Sequence, residues 1–392
     1  MSMFRNLMIR ATESGPDTFI CKIKNTENSA VTPYIAFPVR SAYAYLPAIT
    51  ATIETSSGQR QTLTITGADL TTENDTATFA LGRTDYFSAV SMAQDETATV
   101  TLYSKSKQFP SFSFCSSTAG YRWGKANARL CEVHTPLPVF VDGFCGSVFV
   151  GSLLTSLPDN LFQYGGSIKV LNYTFAYSSL VAVPEGLFDG MTKVTRLENL
   201  FSNCTALTSI PEGLFSGMTK VTELTALFRE CHSLISIPSG LFNGMTEVTN
   251  LDGAFDSCRK LASIPAGLFS GMTKVKSLSS LFSNCSSLVS IPVGLFREQV
   301  NATDFRYCFR YVPASAIHAN IFCDEATEKT TRFANVTPNF SNCFASLTGT
   351  VAGTAPALWE YTYKATPTKT GCFGGNSAAT LSNYGDIPTE WK

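Results

Sequence analysis

The chain has 392 residues, 29 Lys+Arg against 30 Asp+Glu, a net charge of −1 and only 15% charged residues. That balance offers no basic patch to nucleic acid and no like-charged tail, and every apolar run is broken by Ser, Gly or a charge well before the ~18 residues of a membrane span. The length suits two or three domains, or one elongated repeat body.

The first ten residues, Met1 to Arg10, have no long apolar core and no small-residue cleavage site before the polar stretch at Thr12, so they do not read as a secretory signal. Residues 1–110 carry short runs of alternating apolar and polar residues: 18–23, 31–37, 61–65 and 97–103, with Ser57-Gly58 as a turn signal between two of them. Such runs predict a compact antiparallel β-domain, a sandwich, of the size of an attachment module. Residues 111–138 read as a junction and N-terminal cap, because Gly120, Pro136 and Pro138 break any long element.

A repeat then takes over. Pro158, Pro184, Pro211, Pro238, Pro265 and Pro292 fall 26, 27, 27, 27 and 27 residues apart inside the phrase LxSIPxGLFxGMTxVTxL. A fixed period of this size marks a solenoid, since a single unit cannot bury its own apolar face. Phe188, Phe215, Phe242, Phe269 and Phe296 share one column, while Phe201, Phe228, Phe255 and Phe282 share a second, which Phe175 extends. Cys204, Cys231, Cys258 and Cys285 form a third, and the Gly-Met pairs beginning at Gly190, Gly217, Gly244 and Gly271 a fourth. Large apolar groups at constant phase predict a shared core. Within one unit, 233–237 and 221–224 are the candidate strands; Leu227–Cys231 and Gly240–Met245 suit single turns or 3₁₀ pieces. Regular repeats span 139–312, and residues 313–392 read as degenerate repeats and a C-terminal cap, with Phe305-x-x-Cys308 and Phe340-x-x-Cys343 taken as later copies of the Phe-x-x-Cys corner.

The phrase Val-x-x-Leu-x-x-Leu-Phe-x-x-Cys-x-x-Leu-x-x-Ile-Pro, as in Val221 to Pro238, resembles the leucine-rich repeats of the BspA type. The fold class expected is therefore a β-rich, leucine-rich-repeat-like solenoid of short strands and short helical turns, preceded by an N-terminal antiparallel β-domain. Proteins with these repeats occur on the surfaces of anaerobic bacteria and some protists, and in phages that infect such bacteria. With no export signal at the N-terminus, the resemblance implies a phage virion protein. A bacterial cell-surface adhesin is the alternative.

Catalysis finds little support. His134, His232 and His318 are scattered, no metal-binding or nucleophile motif occurs, and no CxxC is present, so neither a metal nor a cofactor is expected. His232, beside Cys231, sits in a column with Thr205, Arg259 and Ser286 and reads as an exposed corner. Equivalent residues in adjacent parallel coils sit about 4.8 Å apart with Cβ atoms pointing the same way, unlike the facing Cβ atoms of a disulfide, so the Cys204–Cys285 column reads as buried thiols. Cys21, Cys115, Cys131 and Cys145 lie outside it and remain able to pair in an oxidising milieu.

One internal comparison bears on function. The core columns hardly change between coils, whereas the positions around the Val-x-x-Leu strand change freely: Arg196, Glu198 and Asn199, then Glu223 and Thr225, then Asn250 and Asp252, then Ser277 and Ser279. Stacking brings them into one surface, of the kind extended repeat proteins use for binding. The expected activity is non-enzymatic: the N-terminal domain joins a virion or other assembly protein, and the repeats touch a host surface protein or glycan. A capsid or tail component without a ligand is the competing expectation, and homo-oligomerisation fits either.

Overall fold

A computed structural model describes residues 18–25, 30, 34–37, 48–65, 83–86, 92–109, 128–140, 143–323 and 329–392. Its contacts divide the chain into two units, Met1–Cys145 with Asn160–Ile168, and Gly146–Asp159 with Lys169–Lys392.

The first unit is built on strands: β1 (Thr18–Asn25), β2 (Tyr34–Phe37), β3 (Ile49–Thr55), β4 (Arg60–Ile65), β5 (Arg83–Tyr86), β6 (Thr97–Ser104), β7 (Gln108–Phe109), β8 (Ala128–Val133) and β9 (Val139–Phe140). Five form one antiparallel sheet in the order β4-β3-β6-β1-β8; β2 and β5 pair antiparallel, and β7 and β9 pair in parallel. Alternation decides the faces. Phe19, Cys21 and Ile23 of β1, Ile49, Ala51 and Ile53 of β3, and Ala98, Val100 and Leu102 of β6 are buried, while Ile20, Lys22, Thr50, Thr52, Thr99 and Thr101 between them stay partly open. The β3–β4 turn relies on Gly58, whose φ of 89° only glycine adopts freely.

Five of these strands, β3, β5, β7, β8 and β9, fall outside the expected runs. Ile49–Thr55 alternates as cleanly as its neighbours but was not among the expected runs. Ala128–Val133, inside the segment read as a junction, supplies the edge strand β8, with a register shift opposite Lys22/Ile23. Residues 31–33 of the expected run 31–37 lie outside the described residues.

In the second unit, successive repeats pair in parallel through single residues: Val170, Arg196, Glu223, Asn250, Ser277, Asp304, Asn339 and Thr368 each bridge to the next. From each bridge onward, every second N–H donates to the following coil. In the coil at Glu223, for example, Leu224, Ala226, Phe228 and Glu230 donate to the carbonyls of Asn250, Asp252, Ala254 and Asp256. The residues between them close turns on their own coil, Leu227 N–H to Leu224, Arg229 to Ala226 and Cys231 to Phe228.

This corrects the expected strands at 221–224 and 233–237. A strand needs extended residues in a row, but left-handed residues at Ala226 and Glu230 (φ 53° and 59°) bend the chain into overlapping turns, so pairing on this side shrinks to one bridge per coil. On the opposite side of the regular coils single N–H groups reach across, as from Ile235 to Thr208 and from Ala262 to Ile235, and Ser263 and Ser290 form one isolated bridge. The corners at Leu227–Cys231 and Gly240–Met245 are turns rather than helices.

Both phenylalanine columns are buried and stacked. Ring centroids lie 5.4 Å apart for Phe201–Phe228, 5.6 Å for Phe228–Phe255 and 6.4 Å for Phe215–Phe242, with planes within 14° of parallel. The stack extends through Phe309, Phe344 and Phe373. Cys308 and Cys343 are not later copies of the cysteine corner. Phe282 donates to the Cys308 carbonyl as Phe255 does to Leu281, so Cys308 fills the Leu281 position and Phe305 that of Leu278. At the C-terminal end, Phe373 N–H is met by the carbonyl of Trp391.

Where the repeats lengthen, the parallel stack gives way to edge-on packing among Phe305, Phe322, Phe333 and Phe340. A buried arginine seals this region. Arg332 donates to the carbonyls of Phe296 and Gln299 and lies 4.3 Å over the Phe333 ring, with burial lowering its pKa to about 10.

Candidate functional site

The bridge residue of each coil and the residues two, three, six and seven beyond it lie between the buried Leu and Phe columns; many of them are open to solvent, although Ser202, Ala226, Gly253 and Ser283 are buried. This places Arg196, Glu198 and Asn199 beside Glu223 and Thr225, then Asn250 and Asp252, then Ser277 and Ser279, joined coil to coil by the backbone ladder. Arg196 is exposed and the other eight are half-buried.

These residues do not all stand free. Asp252 accepts from the Ser279 N–H at 3.0 Å and from the Ser277 hydroxyl, so its carboxylate ties two coils together. Asn250 Oδ1 accepts from the Asp252 N–H at 2.9 Å, and Asp304 and Asn339 do the same in their own coils. Arg196, Glu198, Glu223 and Thr225 carry looser contacts: Arg196 and Glu198 approach to 3.9 Å, and Thr249 Oγ1 donates to Glu223 at 3.5 Å. Burial, together with the nearby Glu198 carboxylate, raises the Glu223 pKa; burial likewise raises that of Asp252, against the donors from Ser277 and Ser279.

The structure also extends the surface beyond the expected residues. Asp304, Arg306, Tyr307, Arg310 and Tyr311 occupy the same outward positions in the next coil. Arg306 grips Asp304 through two nitrogens, with Nη2 to Oδ2 at 2.6 Å. The signal lay in the sequence, since Asp304 follows Ser277 at the repeat period, but pairing Phe305-x-x-Cys308 with the cysteine corner hid it. Beside this surface, Thr249, Lys274, Lys276, Asn301 and Thr303 line a shallow depression of about 440 Å³.

The remaining candidates are structural. The thiols of Cys204, Cys231, Cys258 and Cys285 donate to the carbonyls of Phe175, Phe201, Phe228 and Phe255, each at 3.1 to 3.2 Å. Cys21 and Cys131 are free thiols, Cys145 is buried, and Cys115 lies outside the described residues. His232 is half-buried rather than exposed, with Nε2 lacking a partner; His134 pairs with Glu132, and His318 meets the Ile291 carbonyl. Among the described residues, no three His, Cys, Asp or Glu side chains gather as a metal site.

No family model matches the chain, and no curated protein matches it. Among solved structures, it is similar to the Toll–Spatzle complex described as a hub in Drosophila development and innate immunity, with a TM-score of 0.30 and 18% identity over 54% of this chain and 29% of that one. It is also similar to the TLR13–ssRNA13 complex, with a TM-score of 0.21 and 16% identity over 46% of this chain and 31% of that one. The chain thus spans less than a third of either, and likenesses of this size carry no argument about ligand or mechanism.

Proposed function

We propose that this is a non-enzymatic interaction protein: a leucine-rich-repeat-like solenoid whose outward columns bind a surface protein or glycan, joined to a larger assembly by its N-terminal β-sheet unit. One observation carries the reading. The backbone ladder gathers Arg196, Glu198, Glu223 and Thr225 into a continuous polar surface, while the inward columns repeat nearly unchanged. The virion surface is the setting suggested by the BspA-type resemblance, with the bacterial cell surface as the alternative. A purely architectural role is favoured by one observation, that Asn250 and Asp252 serve the backbone.

The test changes Arg196, Glu198, Glu223 and Thr225 to alanine together and leaves Asp252 in place. The four substitutions are expected to shift stability by no more than about 0.5 kcal/mol each. Retention of labelled protein on whole cells from a panel of anaerobic bacteria is expected to fall at least tenfold, because a few contacts dominate an interface. Equal retention of variant and parent would remove this surface from consideration.

A further inference from the structure

The left-handed positions of the coils are filled in a way that packing does not demand. Positive φ recurs three and seven residues beyond each bridge, and successive coils meet it with Asn199 and Asn203, Ala226 and Glu230, Gly253 and Ser257, and Ser280 and Asn284. Small residues and asparagine suit that backbone. The coils on either side of this run place rings there instead: Tyr173 and Tyr177 at φ 58° and 60°, Tyr307 and Tyr311 at φ 58° and 59°. A bulky side chain in left-handed backbone is an outlier, and such outliers cluster at ligand-binding sites.

Arg310 joins the second pair. Its guanidinium lies 5.5 Å from the Tyr307 ring centroid and 4.5 Å from that of Tyr311, and Nη2 donates to the Tyr311 hydroxyl at 2.8 Å. Arg229 pairs with Asp256 and Arg306 with Asp304, but Arg310 has no carboxylate partner among the described residues, and its buried Nε has no acceptor. The flanking coils supply small, partly open groups: Ser280 and Asn284 on one side, Asn342 and Ser346 on the other.

We propose that these outward columns form a track for a linear acidic polysaccharide, with Tyr307 and Tyr311 stacking on sugar rings and Arg310 pairing with a sugar carboxylate. The proposal rests on reading these columns as an interaction surface and names the ligand class. Electron-rich ring faces attract the C–H face of a sugar, an unpaired guanidinium selects a planar carboxylate, and serine and asparagine groups match sugar hydroxyls. A peptide would find no apolar pocket for its side chains among those flanking residues. The two tyrosine pairs are five coil steps apart, which at ~4.8 Å per step is about 24 Å, the reach of roughly five sugars in an extended chain.

The experiment measures binding of the full chain by calorimetry to galacturonate hexamer and dimer, cellohexaose and poly-L-glutamate. The hexamer is expected to bind at least tenfold more tightly than the other three. Arg310→Gln, and Tyr307→Asn combined with Tyr311→Asn, are each expected to weaken hexamer binding at least tenfold. The double variant should melt no lower than the parent, since Asn199 and Asn203 fill the same positions in another coil. Absence of hexamer binding by the parent, equal binding by the variants, or equally tight binding of dimer or poly-L-glutamate would overturn the proposal. If uronate binding fails while the Arg196 set still abolishes cell retention, the glycan inference falls and the interaction surface stands; if both fail, both fall.

Discussion

A thiol recurs in the interior because it gives a crowded carbonyl a second donor. The Phe201 carbonyl accepts the Cys204 N–H at 3.1 Å and the Cys231 thiol at 3.2 Å, and alanine at 231 would leave only the first of those donors. Burial raises every thiol of the column, Cys204 from an ordinary value of 9.0 to about 12 despite its bond with Ser178. The unfolded chain therefore sheds these protons from about pH 8.5 upward while the folded chain keeps them. The unfolded state then binds fewer protons, so stability falls as pH rises through the window from about 8.5 to 12, by about 1.4 kcal/mol per pH unit for each buried thiol. Urea unfolding at pH 7, 9 and 10 should show this loss, and Cys231→Ala should make it shallower by one proton. A pH-independent midpoint would contradict the buried ladder.

At the scale of one coil, the governing feature is the pair of left-handed residues. Ala226 pays the steric penalty of φ 53° where Gly253 in the next coil does not. A left-handed L-residue costs about 1–2 kcal/mol, and glycine's added unfolded-state freedom costs about 0.5–1 kcal/mol, so Ala226→Gly should raise the unfolding free energy by up to about 1.5 kcal/mol. Thermal melts of the pair decide it, and a lower melting temperature would refute the strain argument. This feature also explains what sequence reasoning could reach. Period and hydrophobic phase are carried by the side chains of Phe228, Leu227 and Cys231, so the buried columns were legible. Left-handed backbone at Ala226, Glu230, Asn199 and Tyr307 leaves no common residue type to read, so a strand was expected where turns occur. The candidate surface was legible for the same reason as the core, by subtraction, but subtraction could not tell Asp252, which ties coils together, from Glu198, which does not.

For the whole molecule, the two units were legible to different degrees. The alternation of Thr18–Asn25 and Thr97–Ser104 announced strands, but their neighbours in the sheet are set by long-range pairing, which brings β8 from beyond residue 127 against β1. In the repeats the partner of every coil is simply the next one, and contacts of this kind make stability a sum of nearest-neighbour terms. Removing residues 223–249, one full period, should therefore leave a cooperatively melting protein in which the coil at Arg196 meets that at Asn250. Removing 14 residues from the same place should abolish cooperative melting, because every inward column would lose its phase. Circular dichroism melts of the two deletions separate these outcomes, and equal behaviour would refute the nearest-neighbour account.

The one-residue bridge per coil has a consequence for how such a protein changes over time. The backbone part of the join between coils, a single bridge and a few main-chain hydrogen bonds, recurs from the coil at Val170 to the coil at Asp304, and at one seam Asp252 adds a side-chain tie to Ser277 and Ser279. A copied or lost period therefore keeps the backbone part of the join to its new neighbour. The gene can lengthen or shorten the molecule in steps of about 4.8 Å, and each inserted period adds a fresh set of outward residues free to diverge.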